Sequence, residues 1–581
     1  MIKNTEKQVS PNRNQAQNQA RPAPTNSFPK KTPQIKVVFL GGIGEIGKNM
    51  TIFEFDNEMI LLDAGFMFPR VEMLGVDKVI PDFSYLLENK HRLKGIVLSH
   101  GHADHIGALR YFIDQINVPV YATSLTIGIL KEEMPSYLSK NINFVTIELP
   151  SVHMIGKTEV QFLRVNHSIP DGCATVFKTS MGSIIHSGDF KIDLTPIDGK
   201  PIDLQRFGEA GKRGVLLYLG DSTNADEDGY TGSESSVGKR LEELIRSGAG
   251  RVFVATFSTN LHRVLQVFDI AQRVGRKILV DGKSIISIIQ VANRLAYAKI
   301  PKEQMISYAD LDKLPDHSQL ILATGTQGEP FSGLTRLANN KHENLKIKKG
   351  DMVIISADPI PGNESYVNKV IDSLLRMGAN VIYRQDNVHV SGHGSKEDLR
   401  LMMSLIKPNF FIPVHGEYRM MHAHCRVAQE TGLPEKNTLI VENGDVITVQ
   451  ANRIFRSGKV PANPVMIDGK TVGDIEPSVI DERRRLSKEG VVNAVIQVDS
   501  RARKMMNQPI IETKGLFSSR ISSDIFNKIA DSIQEVVQKW SSQRGNEKDL
   551  EIMLKGCIAG VISAEMHRKP IIFVTVMLNG K

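Results

Sequence analysis

Six consecutive residues, His100-Gly101-His102-Ala103-Asp104-His105, limit what this chain can fold into more than any other feature. They directly follow an apolar run, Gly95-Ile96-Val97-Leu98-Ser99, that reads as a strand, and a helix is expected over 106–116. A tight strand-to-helix loop can aim several side chains at one spot. Four ionisable groups packed this closely are costly unless something positive lies between them. Imidazole and carboxylate together suit zinc or manganese, a harder donor set than thiolates. A merely solvated polar turn accounts poorly for the run, so the fold must present this loop to a metal.

A binuclear centre needs donors from elsewhere. Candidates are His167 in Arg164-Val165-Asn166-His167, Asp189 in His186-Ser187-Gly188-Asp189, and His415 in Pro413-Val414-His415-Gly416-Glu417. Each closes a β-rich run, as a loop-mounted ligand should. The three cysteines, Cys173, Cys425 and Cys557, are widely spaced and lack any CxxC, which excludes a disulfide framework or a cysteine zinc ribbon. No apolar stretch approaches the ~20 residues needed to span a bilayer, so no membrane partner is expected. The polar N-terminus lacks a secretory core, and with the reduced cysteines this predicts a cytoplasmic protein.

At 581 residues the chain has room for several domains. Residues 1–34 are rich in Asn, Gln, Pro and Lys and are expected to be a disordered basic tail. Lys3, Lys7, Arg13, Arg21, Lys30 and Lys31 face only Glu6, so most of the net charge of +8 sits there. The tail is either a solvated appendage or a loose tether for RNA or a partner. The mildly basic remainder does not by itself imply nucleic-acid binding. β-rich runs follow at 36–40, 50–55, 59–63 and 95–99. Gly42, Gly44 and Gly47 spell GxGxxG, but a β-type stretch follows rather than a helix, so a turn explains them better than a dinucleotide site. From about 250 strands (251–256, 277–280, 319–323, 352–356) alternate with helices (261–274, 283–297, 364–377), the rhythm of a parallel α/β sheet. A Pro- and Gly-spaced stretch after 450 reads as a linker. The last unit reads strand 491–498, helices 521–540 and 548–566, strand 570–577.

Taken together, HxHxDH, His167, the Gly188-Asp189 pair, His415 and the strand end Asp63-Ala64-Gly65 resemble the metallo-β-lactamase fold. The α/β insertion resembles the β-CASP domain of nucleic-acid-processing members. Gly41-Gly42-Ile43-Gly44-Glu45-Ile46-Gly47-Lys48-Asn49, Asp221-Ser222-Thr223-Asn224, Gly325-Thr326-Gln327-Gly328-Glu329-Pro330, His389-Val390-Ser391-Gly392-His393-Gly394 and His415-Gly416-Glu417-Tyr418-Arg419 are similar to the bacterial ribonuclease J family. The fold this implies is α/β: a metallo-β-lactamase αββα sandwich with an inserted β-CASP α/β domain and a small C-terminal α+β domain. The expected boundaries are the tail 1–34, metallo-β-lactamase parts 35–235 and 381–450, β-CASP 236–380, linker 451–486 and C-terminal domain 487–581.

The resemblance implies one metal on His100, His102 and His167 and another on Asp104, His105 and His415. Asp189 would bridge them, and Asp63 would orient a ligand histidine. Zn2+ is the first choice and Mn2+ the second. Glu234, in Thr231-Gly232-Ser233-Glu234, falls where the family has its first acidic motif and is expected to be catalytic with Asp189 and His393. His393 is the candidate for protonating the leaving oxygen, and His389, Val390, Ser391, Gly392 and His393 would contact substrate phosphate. Some members carry structural Ca2+, which maps to Asp468 and the backbone near Leu74 and Val76. The implied activity is two-metal hydrolysis of single-stranded RNA, 5′→3′ from 5′-monophosphorylated ends with internal cleavage as well, in mRNA decay and rRNA maturation. The implied assembly is a homodimer, a homotetramer or a hetero-oligomer with a paralogue, within an RNA degradation complex.

Lys283 stands where relatives often have arginine, which loses a bidentate phosphate grip. Alternatives from other classes are a small-molecule metallohydrolase, an inactive scaffold subunit and a DNA nuclease. His422, His424 and Cys425 fall on a helix with spacing that points them apart, and they are not assigned a metal. His186 is expected to pack near the centre without ligating. His262 and Arg263 face either RNA phosphate or the core. Trp540 is expected to be a core or subunit contact.

Overall fold

The computed structural model describes residues 34–70, 72–327, 332–360, 363–383, 387–469, 471–473, 475–517, 522–543 and 546–579. All of the expected tail except Gln34 lies outside these residues, as do Gly328, Glu329 and Pro330 of one motif.

Two sheets face each other. Strands Ile35–Gly41, Met50–Phe55, Glu58–Leu62 and Leu93–Val97 form the centre of an eight-stranded sheet. Val38, Leu40 and Ile52 point to an outer cluster under helices, while Val37, Phe39 and Phe53 point inward. Both faces of these strands are therefore buried, which is why the runs are almost continuously apolar. The inward residues meet Phe162, Phe177, Leu217 and Ile412 of a six-stranded sheet. That sheet runs Phe410–Val414, Val215–Asp221, Gly182–His186, Cys173–Thr179, Thr158–Arg164, Ser151–Ile155. Its far face is closed by helices Leu204–Arg213, Lys396–Ile406 and Tyr418–Glu430. This is the αββα sandwich.

The insertion forms its own sheet of six strands, all parallel, ordered Met305–Ile306, Lys277–Asp281, Gln319–Ala323, Val252–Ala255, Met352–Ile355, Asn380–Ile382. Helices cover both faces, as the alternating rhythm predicts. Helix Lys283–Arg294 packs Ile288, Val291 and Ala292 into the cluster that includes Leu125, Ile127 and Ile129 of helix Ser124–Glu133. The insertion is thus seated on the sandwich. Lys283 stands exposed in its first turn.

Two expectations about elements change. The helix expected over 106–116 is a single turn, Ala103–Ile106, followed by 3-10 turns Leu109–Tyr111 and Ile113–Gln115. Ala108 N–H is drawn to Ala64 O instead of continuing the helix. The segment 451–486, read as a linker, contains strand Arg453–Lys459, paired on the edge of the eight-stranded sheet. It also contains Val465–Asp468, paired with Lys78–Ile80, and helix Pro477–Glu489 begins within it. An edge strand with mostly exposed residues carries little apolar alternation, so its sequence looked like a connection.

The C-terminal unit places helices Ser522–Gln543 and Glu547–Met566 against strands Val491–Asp499 and Ile571–Asn579, which are parallel. Ile525, Ile529, Ile533 and Val537 recur every four residues, as do Leu550, Leu554, Ile558 and Ile562, and all are buried. Trp540 is core: its indole N–H donates to Asn546 O at 2.9 Å. Among the described residues no helix is long and apolar enough to cross a membrane.

Candidate metal centre and its loops

The metal-capable residues stand on loops at the ends of strands from both sheets. His100 Nε2 and His167 Nε2 each lie 3.0 Å from His102 Nδ1. Neutral imidazole nitrogens facing one another this way cannot all be donors, and a cation among them resolves the conflict. Beside this trio, His105 Nε2 lies 3.6 Å from Asp104 Oδ2, and His415 Nε2 lies 3.3 Å from it. Asp189 lies between the groups. Its Oδ2 is 3.1 Å from His105 Nε2, 3.8 Å from His100 Nε2 and 3.9 Å from His167 Nε2, while Oδ1 is 3.1 Å from His415 Nδ1. Among the described residues, His415 Nε2 is buried without a hydrogen-bonded partner. The donors form clusters of imidazole and carboxylate able to hold divalent metal, with Asp189 in reach of both the His100–His102–His167 trio and the Asp104–His105–His415 group.

The supports are equally specific. Asp63 accepts from Ser99 N–H and from Ser99 Oγ–H, and its Oδ2 is 2.8 Å from His105 Nδ1. That contact sets the His105 tautomer and turns Nε2 to the centre. Asp63 and His415 both sit in the left-handed backbone region (φ 61° and 50°), strain that the surrounding hydrogen bonds must hold. His167 Nδ1 donates to Gly392 O at 2.8 Å. A Cβ at Gly392 would come within 2.6 Å of that ring, so the close approach requires glycine. The glycine turn 41–49 serves His415: Gly42 O accepts from His415 N–H at 2.9 Å. Asn49 brings its amide to 3.0 Å from His105 Nε2.

Burial holds His100 and His167 well below the usual imidazole range and takes His102 to about 4. These three are neutral, as ligands must be. His105 and His415 go the other way, because Asp189 and Asp104 outweigh their burial. His393 is likewise raised: burial opposes it, but Asp221 wins. Metal-free protein is therefore expected to lose stability as pH falls from 6.5. Folded His102, His186 and His389 bind protons only near 4, whereas the unfolded chain takes them up from 6.5. The raised histidines add no slope in that window, since they are charged in both states below it. Melting temperature against pH on chelator-stripped protein checks this; a flat profile from 6.5 to 4 contradicts it.

Glu234 is not at the centre. Its carboxylate is buried against Arg263 Nη2 at 2.6 Å, and the acid that meets His393 is Asp221. Asp221 Oδ2 is 2.7 Å from His393 Nδ1, and Oδ1 is 3.5 Å from His415 Nδ1. The sequence signal for Asp221 was the Asp221-Ser222-Thr223-Asn224 run at a strand end, which resembled the family but carried no assigned role. Thr223 Oγ–H completes the corner by donating to His415 O at 2.9 Å. Within 389–393, Ser391 Oγ accepts from His393 N–H at 3.1 Å, and His389 Nε2 is 3.8 Å from Asp358 Oδ2.

His424 is buried with Nδ1 on Ser222 Oγ, His422 stacks on Tyr418, and Cys425 lies in the core. His186 accepts from Gly188 N–H through Nδ1, beside the centre and outside the donor groups. His262 and Arg263 are buried and do not face solvent.

The residues offered to calcium do not fit it. Arg483 Nη1 donates to Leu74 O and Nη2 to Asp468 Oδ2, both at 2.9 Å. Val76 packs in the apolar cluster beneath. A guanidinium already meets two of the oxygens that the ion would need, Leu74 O and Asp468 Oδ2. Gly75 (φ 75°) makes room for it, since a Cβ there would lie 2.6 Å from Nη1. The melting temperature of the wild-type protein is expected to be unchanged by calcium or a calcium-selective chelator. Arg483→Ala is expected to lower stability by about 1–2 kcal/mol. A calcium-dependent melt of the wild-type protein contradicts this assignment.

An αββα sandwich with a histidine–aspartate metal donor set and a parallel-sheet insertion defines a metallo-β-lactamase-superfamily metallohydrolase of the β-CASP type. The family models agree: metallo-beta-lactamase superfamily over residues 43–255, ribonuclease J beta-CASP domain over 249–374, Zn-dependent metallo-hydrolase RNA specificity domain over 378–441 and ribonuclease J C-terminal domain over 478–579. The chain belongs to the ribonuclease J family. It is 40% identical to ribonuclease J2 of Bacillus subtilis, over 94% of this chain and 99% of that one. It is 38% identical to ribonuclease J of Synechocystis (94% and 87%) and 39% identical to ribonuclease J 1 of Streptococcus pyogenes (95% and 99%). A solved structure of a protein of unknown function from Enterococcus faecalis shares the fold, with TM-score 0.51 and 16% identity over 72% of this chain and all of that one.

Proposed function

We propose that this chain is a metal-dependent ribonuclease that shortens single-stranded RNA 5′→3′ from 5′-monophosphorylated ends and also cuts internally. The observation that carries the reading is Asp189 shared between two donor groups beside the 389–393 loop. Two divalent cations, zinc or manganese, would neutralise charge on the phosphoryl group and acidify a water. His100, His102 and His167 would hold one, Asp104, His105 and His415 the other, with Asp189 common to both. Asp63 and Gly392 O keep the ligand rings turned inward by taking their outer nitrogens. His393, kept protonated by Asp221, would give its Nε2 proton to the departing 3′ oxygen. Val390, Ser391 and Gly392 would line the phosphate path with His389.

Membership of this family supports roles in mRNA decay and rRNA maturation, in the cytoplasm. Assembly as a homodimer or homotetramer, or with a paralogue in a degradation complex, is part of the same reading. The test is degradation of a 5′-monophosphorylated RNA with and without a chelator, with single-stranded DNA and a thioester or lactone as competitors. Loss of RNA only in the chelator-free lane is expected. Intact RNA in both lanes sinks the proposal.

A further inference from the structure

Glu234 opens helix Glu234–Ser247 and is 2% exposed. One carboxylate oxygen accepts from Arg263 Nη2, and the other is 3.7 Å from Lys191 Nζ. Lys191 stands two residues after Asp189, and its N–H donates to Asn166 O, beside His167. Its Nζ also donates to Gly232 O at 3.1 Å, and Glu234 N–H donates to Asp193. Glu234 is therefore clamped to the loop that carries the shared carboxylate.

Arg263, with no exposed surface, passes this anchoring on. Its Nη1 donates to Val388 O at 2.9 Å and to Ser356 Oγ, whose hydroxyl donates to the same Val388 carbonyl at 2.6 Å. Its Nε donates to Gln266 Oε1, and Gln266 Nε2 returns to Glu234 O. Val388 immediately precedes 389–393. A buried ion pair is a poor adhesive, because desolvation offsets the attraction. What a guanidinium supplies here is direction, several donors in a rigid fork.

We propose that Glu234 is a positioning residue: through Arg263 and Ser356 it fixes Val388, and so sets the 389–393 loop against the metal-bearing loops of the sandwich. The inference rests on the functional reading above, in which His393 protonates an RNA leaving group.

The experiment compares two substrates on metal-loaded protein. The 3′ oxygen of RNA departs as an alcohol and needs a proton from the loop held in place; bis(p-nitrophenyl) phosphate releases p-nitrophenolate, which needs no proton and depends on the metals. Glu234→Gln and Arg263→Met are each expected to lower RNA turnover about 100-fold, while ester turnover and metal content stay within about threefold. The double variant falls no further than the worse single one, because both act through one chain of contacts. Ser356→Ala removes a single hydroxyl and gives the milder loss, about tenfold on RNA alone, should the charge variants not fold. Equal losses on both substrates would place Glu234 at the reacting centre and overturn the proposal. Unchanged RNA turnover, or additive losses, overturns it too. Wild-type protein that hydrolyses the ester but leaves RNA intact overturns the functional reading itself, and this inference with it.

Discussion

Asp189→Asn is expected to abolish hydrolysis of RNA and of bis(p-nitrophenyl) phosphate alike, by at least about 10³-fold. Asp189 is the carboxylate in contact with both donor groups, reaching His100, His105 and His167 with one oxygen and His415 with the other. An amide keeps the shape but loses the charge that two neighbouring cations, as proposed, would require. It also removes the charge that most raises His105 and His415. Metal content, measured by elemental analysis after gel filtration, should fall with activity. A variant retaining both metals and full turnover would remove the basis of the two-cation site.

His393→Ala is the second large effect, and it divides the substrates. RNA hydrolysis should fall about 10²–10⁴-fold, the range of a lost general acid, while ester hydrolysis falls less than about tenfold. His393 touches Asp221 through Nδ1, which leaves Nε2 to donate. Asp221→Asn should share the pattern, since it removes the partner that keeps His393 protonated. Metal content should stay near wild type in His393→Ala. Equal loss on both substrates would instead make His393 part of the metal centre.

Much of the fold was legible because its signals are local. The parallel insertion announced itself by alternating apolar runs and amphipathic helices, and strands 50–55 and 319–323 have the bounds that their composition suggested. The helix after His105 was misjudged because Leu109, Phe112 and Ile113 fit a helical face, yet a tertiary hydrogen bond to Ala64 bends the chain away. The segment 451–486 hid three paired strands: Arg453–Lys459 is an exposed edge strand without apolar alternation, and Val465–Asp468 and Thr471–Val472 are too short to carry a period.

The site divides in the same way. The sequence by itself offered the donors as candidates: His100, His102, Asp104 and His105 lie within six residues of one tight loop, and His167, Asp189 and His415 each end an apolar run. Only the tertiary structure decided which acids serve them. Asp221 meets His393 across 172 positions of chain, whereas Glu234, matched by motif, turns to Arg263. Arg483 reaches Leu74 across 409 positions and takes two of the oxygens offered to calcium, Leu74 O and Asp468 Oδ2. Ligand spacing on one loop is written in adjacent residues. Pairings between distant loops depend on how the sheets and the insertion pack, and no local pattern encodes that.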